Sequence, residues 1–272
     1  MRSFSATPIE MVASLWRHRG LIKASTKREV LGRYRGSVMG IMWSFFNPLF
    51  MLAVYTFVFS VVFSARWGTG TGSKTEFALL LFSGLMMFNL FAECINRAPG
   101  LIVSNANYVK KVVFPLEILP TVTLFSALFH GLISLGVWLL AYIVFFGMPH
   151  FTVLFLPLIV LPFIFFIVGL SWVLASTGVY LRDVSQFIGV VTTVLMFLSP
   201  IFYPVSALPE IYRPWLYMNP LTIVIELTRD VLFWGKSPDF LMLGIYWVLT
   251  SIFAWLGFAW FQKTRKGFAD VL

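Results

Sequence analysis

The chain has 272 residues, 59% of them hydrophobic and only 11% charged, with a formal net charge of +9. A soluble domain carries about 25% charged residues, so this surface is not built for water, and a mean hydropathy of +0.88 makes a bilayer the solvent. The single Cys94 excludes an internal disulfide framework and any multi-cysteine metal site, and His18, His130 and His150 are too scattered to form a helical metal pair.

Residues 1–35 lack an apolar core of signal length, so no cleavable leader is expected. Position 2 is Arg and the chain ends ADVL, which gives neither a myristoylation nor a prenylation signal. TPIEMVASLWRHR (7–19) predicts a helix with Thr7 as N-cap, Pro8 at the first helical position and Glu10 at N3. Ile9, Val12, Ala13 and Trp16 share one face and the basic residues the other. That describes a helix lying on the inner leaflet; the plainer alternative is a solvated helix packing on a partner.

In LGRYRGSVMGIMWSFFNPLF (31–50) the charge stops at Gly36 and does not return until Arg66. A bilayer core needs about 20 apolar residues per helix. Charge-free runs of that order cover 36–65, 118–149, 151–181, 184–209 and 240–262, and a shorter one, FALLLFSGLMMFNLFA, covers 77–92. The runs are continuous rather than alternating, which predicts helices, not a barrel. The fold class is therefore an all-α integral membrane protein with six transmembrane helices at about 38–64, 77–93, 118–147, 151–180, 184–203 and 240–262. Six spans put both termini on one side. Of the 20 Lys and Arg, all but Arg66, Lys74, Arg213, Arg229 and Lys236 then fall on that side, which makes it the cytoplasm. The excess positive charge needs no nucleic acid to explain it.

The organisation expected is a cytoplasmic amphipathic segment (1–35), a six-span domain (36–262) and a cytoplasmic tail (263–272). The largest inner loop, 94–117, holds an amphipathic stretch around 100–109 and the pair Lys110-Lys111. The inner loop YLRDV carries Arg182 and Asp183. Outside, 200–239 is broken by Pro200, Pro204, Pro209, Pro214 and Pro220 yet stays apolar. From Leu221 a helical pattern appears, with Leu221, Val224, Ile225, Thr228, Val231 and Leu232 on one face and Glu226, Arg229 and Asp230 on the other. Two short re-entrant or interfacial helices fit 204–236 better than a free loop, because irregular backbone at membrane depth must be satisfied by protein or a wet cavity.

GTGTGSKT (68–75) lacks the spacing of a phosphate loop, and Gly235-Lys236-Ser237 lacks its first glycine. No Asp or Glu lies within the six apolar runs, whereas ion-coupled carriers place carboxylates at the midplane. If the chain transports, its energy comes from another subunit. His130, an ionisable residue inside a span, is either functional or bonded to a neighbouring helix. Trp43, Phe46, Phe50 and Phe57 share one face of span 1, and Phe197, Phe202 and Tyr203 stand at the end of span 5. These aromatics either pack or line a sugar path. Sugar hydroxyls left unbonded in hydrocarbon cost several kcal/mol each, so a polymer needs an enclosed wet conduit, which a homodimer about a two-fold axis would supply.

RYRGSVMGIMWSFFNP (33–48) resembles the permeases of ABC-2 exporters of lipid-linked polysaccharides (O-antigen, capsule, teichoic acid), and the resemblance continues in NYVKKVVFPLEILP (107–120), YLRDVSQF (180–187), SPIFYP (199–204) and YMNPLT (217–222). The O-antigen exporters look closest. The resemblance implies an N-terminal interface helix, a coupling helix at about 94–109, and periplasmic gate helices within 205–234. It implies a second copy of the chain and two copies of a cytoplasmic ATPase that binds ATP and magnesium, so this chain is expected to be no enzyme and to hold no cofactor. Asn96, Arg97, Asn105, Asn107, Arg182 and Asp183 are the expected ATPase contacts. Arg33 and Arg35 are candidates for the diphosphate of an undecaprenyl-linked glycan at the bacterial inner membrane, or else are mere topology anchors; Asn47-Pro48 would permit a kink. The rivals are an ABC-2 permease for a smaller lipid or drug, and an intramembrane sugar transferase acting through Glu226, Arg229 and Asp230.

Overall fold

The computed structural model describes residues 5–58, 74–110 and 114–272, and every regular element among them is helical. The Gly-rich stretch up to residue 73, the outer end of the first predicted span and Lys111 lie outside the described residues.

The chain opens as the capping signals predict. Thr7 Oγ1 accepts from the Glu10 amide at 3.2 Å, starting α1 (Pro8–Arg17). His18 separates it from α2 (Arg19–Arg33). Ile9, Val12 and Trp16 remain exposed along one side of α1, while Ile22 of α2 packs on Ile118 and Val122.

Among the described residues five helices are long and apolar enough to cross a bilayer: Gly40–Phe57, Thr75–Ser104, Leu116–Phe146, Phe151–Tyr180 and Phe240–Val271. Their regular cores are α3 (Trp43–Phe57), α4 (Lys74–Arg97, followed by the short α5, Leu101–Ser104, and α6, Ala106–Lys110), α7 (Leu119–Phe146), α8 (Leu156–Tyr180) and, last in the chain, α12 (Phe240–Thr264). The second lies at the centre: from Phe77 to Phe91 every residue but Asn89 is buried. The helix outruns its charge-free stretch, so Glu76, 3% exposed, and Glu93 both belong to it. Runs free of acid are thus shorter than the helices that contain them, and two carboxylates sit near the ends of α4. Helix α3 continues unbroken through Pro48.

The fifth predicted span, 184–203, forms only a short helix. Helix α9 (Val184–Leu198) has 15 residues, about 22 Å at 1.5 Å per residue, against a hydrocarbon core of about 30 Å. It stops because Ser199 precedes Pro200: the residue before a proline is driven out of the helical region, and Ser199 is extended at ψ 150°.

Close contact between α8 and α12 depends on two glycines. A Cβ on Gly169 would lie 2.8 Å from the Ala254 Cα, and one on Gly257 would lie 2.3 Å from the Gly169 carbonyl oxygen. Small residues let membrane helices approach in this way. After α9 the chain forms α10 (Arg213–Tyr217) and α11 (Pro220–Arg229), a π-helical turn (Asp230–Trp234) and a left-handed Gly235. Leu221, Val224, Ile225, Thr228, Val231 and Leu232 are all buried, the face read from the periodicity.

Residues near the two ends of the chain are tied at one carboxylate. Ser14 Oγ donates to Glu117 Oε1 at 2.8 Å, and Arg265 Nη1 donates to Glu117 Oε2 at 2.6 Å. Arg265 Nη2 also donates to the Phe114 carbonyl at 3.0 Å, and Trp172 Nε1 to the Glu117 carbonyl at 2.9 Å. A last short helix, α13 (Phe268–Val271), follows.

Candidate functional site

Three regions carry the polar groups that sequence reading singled out. At the boundary below α3, Arg33 ends α2 and forms an ion pair with Glu93 of α4. Glu93 is also 3.7 Å from Arg97, whose guanidinium pairs with Glu29 of α2 at 2.6 Å. Glu29, Arg33, Glu93 and Arg97 therefore form one alternating network joining α2 to α4. Arg35 stays exposed and outside this network, with no ion pair among the described residues. The two arginines proposed to act together are thus in different electrostatic states. Sequence reading missed Glu29 and Glu93, although the i, i+4 spacing of Glu93 and Arg97 was a usable signal.

Beneath this network lies a cavity of about 530 Å³, bordered by Arg28, Glu29, Arg97, Asn105, Tyr108 and Phe114 among others. Helices α5 and α6 form one of its walls. Asn105 donates to the Leu101 carbonyl at 2.8 Å, and Asn107 is exposed. Tyr108 stacks on Phe114 with centroids 4.3 Å apart, and its hydroxyl accepts from Arg28 at 3.1 Å. Asn96 accepts from Thr192 Oγ1 of α9 at 2.9 Å, so it links α4 to the short span. Arg182 and Asp183 are exposed in the turn between α8 and α9.

On the far side, Arg229 departs from its expected place on a polar face with Glu226 and Asp230: it is 2% exposed. Its Nε donates to the Leu80 carbonyl of α4 at 3.0 Å, Nη2 to Ile201 at 2.8 Å, and Nη1 to the Pro200 carbonyl and to Glu226 at 3.0 Å. The cause is the break at Pro200. A helix that ends inside protein leaves carbonyls without partners, and a planar fork of donors satisfies several at once. Gly84 makes room, since a Cβ there would sit 2.9 Å from Arg229 Nη2. Burial raises the Glu226 carboxyl above its usual range, opposed by Arg229; burial likewise raises Asp230, opposed by Lys236.

The aromatic candidates fall in two groups. On α3, Phe46 and Phe50 stack at 6.0 Å, and Trp43, Phe50 and Phe57 are exposed. At the end of α9, Phe197 and Phe202 stack at 5.8 Å, and the Tyr203 hydroxyl donates to the Phe197 carbonyl at 3.1 Å.

Comparison with known proteins agrees with this layout. Residues 20–233 match the family described as ABC-2 type transporter. The O-antigen export system permease protein RfbA of Myxococcus xanthus is 26% identical over 264 residues, covering 96% of this chain and 99% of the relative. A protein of the same description from Klebsiella pneumoniae is 26% identical, covering 93% and 95%. The polysialic acid transport protein KpsM of Escherichia coli is 24% identical, covering 90% and 93%. A multi-pass helical chain matched over most of its length, this protein belongs to the ABC-2 type transporter family.

Proposed function

We propose that the chain is the permease subunit of an ATP-driven exporter that carries a lipid-linked polysaccharide, most closely of the O-antigen kind, out of the cytoplasm across the bacterial inner membrane. The observation that carries this reading is the nearly end-to-end similarity to O-antigen export permeases, with a capsule-type transporter behind them. In this reading α9 and the turn 199–204 that follows it make a sixth crossing, and α10 and α11 act as a gate on the periplasmic side. Two copies enclose the conduit, with the exposed aromatics of α3 and α9 facing it. Two cytoplasmic ATPases press on α5, α6 and the Arg182–Asp183 turn. Arg33 and Arg35 meet the diphosphate of an undecaprenyl-linked glycan through charge-assisted hydrogen bonds.

The sequence supports an external motor: neither Gly-rich stretch has phosphate-loop spacing. The carboxylates within α4 lie toward its ends, and Glu93 is committed to two arginines. Vesicles holding this chain with its ATPase should take up lipid-linked glycan only with ATP, and vesicles holding the chain alone should move none. Movement driven by a proton or sodium gradient without the second polypeptide would overturn the reading.

A further inference from the structure

Spans one to three each contain an isolated side chain of strong hydrogen-bonding capacity in an apolar run: Asn47, Asn89 and His130. Nothing in the sequence links them. The fold brings all three to one cavity of about 290 Å³ between α3, α4 and α7, bordered also by Tyr34, Tyr55, Phe82 and Met86. Asn89 is the single exposed residue of the buried stretch of α4, and it faces this space. Among the described residues neither asparagine amide has a hydrogen-bond partner. His130 Nδ1 lies 3.3 Å from the Tyr34 hydroxyl, while its Nε2 is buried without a partner in the protein. A buried polar group without a partner is costly, which applies to His130 Nε2, while Asn47 and Asn89 are exposed and present their amides to the cavity. Three polar groups converging on one cavity suit a ligand that satisfies them.

The lining selects the ligand's chemistry. The charged groups at the mouth, Arg33 and Glu93, are paired with each other, so no surplus charge favours an anion or a cation deeper in. An acyl chain would leave the two amides and the imidazole unsatisfied. Amides offer a donor and an acceptor side by side, which matches adjacent hydroxyls, and most of the remaining wall is aromatic or apolar, with Ser44 and Ser134 donating to backbone carbonyls. The volume sits at the lower bound of the ~300–1,000 Å³ typical of small-molecule pockets, which suits one ring rather than a chain. We infer that the cavity between α3, α4 and α7 is a binding pocket for a single uncharged sugar ring, held by Asn47, Asn89 and His130 beside the Arg33–Glu93 pair. This rests on the export reading above: the ring is then the sugar next to the lipid diphosphate, and the pocket distinguishes glycan-bearing lipid from bare carrier.

The test measures binding of two radiolabelled probes, polyprenyl diphosphate carrying one neutral sugar and polyprenyl diphosphate alone, to the purified full-length chain in nanodiscs. The unmodified protein is expected to prefer the sugar-bearing lipid about tenfold, equivalent to ~1.4 kcal/mol. Asn89→Leu and Asn47→Leu, on separate helices, should each reduce that preference to less than threefold while retaining affinity for the bare carrier, which also reports that they fold. The free monosaccharide should compete only with the sugar-bearing lipid. Equal binding of both probes by the unmodified protein, or a preference that survives both substitutions, overturns the pocket and leaves the export reading standing. Binding of neither probe brings down the export reading and the pocket with it.

Discussion

Two arginines of this chain occupy opposite electrostatic settings. Arg229 is enclosed and saturated by three backbone carbonyls and one carboxylate, whereas Arg33, at the end of α2, is partly exposed and held by a single carboxylate that it shares with Arg97. Carbonyl partners belong to the backbone and cannot leave. A carboxylate partner on a side chain can exchange for another anion. Burial with fixed partners makes an arginine part of the scaffold, while exposure with one mobile partner leaves it available to a ligand.

Substitutions can break this contrast at its strongest point first. Arg229→Met strands the Glu226 carboxylate and the carbonyls at Leu80, Pro200 and Ile201, and should destabilise the fold by about 3–5 kcal/mol, read as loss of the monodisperse peak and of the thermal transition in detergent. Gly84→Ala forces a methyl against the same guanidinium and should cost about 1–3 kcal/mol in the same assay, with Arg229 itself intact. Glu93→Gln tests the other pole. Surface ion pairs contribute about 0–1 kcal/mol, so stability should hardly change, yet binding of an anionic lipid diphosphate should strengthen severalfold once Arg33 loses its competitor. Arg33→Gln with Arg35→Gln should leave insertion and thermal stability unchanged but abolish substrate-stimulated ATP hydrolysis in the reconstituted complex. Unchanged stimulation would return both residues to the role of topology anchors.

The features easiest to read in the sequence were those set by local chemistry. Thr7, Pro8 and Glu10 start α1 as a capping signal should, and the buried face of α11 follows a period of 3.6 residues. Six apolar runs foretold the apolar helices, but not that Pro200 would end α9 at Leu198. What escaped was decided by tertiary contact. Arg229 was read as a polar-face residue because its helix neighbours are polar, and only the freed carbonyls of another segment explain its burial. Glu93 stood just past a charge-free run, at the edge of its predicted span, and its pairing with Arg33 and Arg97 was not read. His130 was read as an ionisable residue alone in its span and Asn47 as part of a kink, Asn89 was not singled out, and their meeting required the packing of three helices.

The carboxylate of Glu117 gathers Ser14 from the start of the chain and Arg265 from near its end. During synthesis the second partner emerges only after the last long helix has been made. The first helix therefore gains its full anchorage only once Arg265 has been made, so its hold on the bundle is settled late in synthesis.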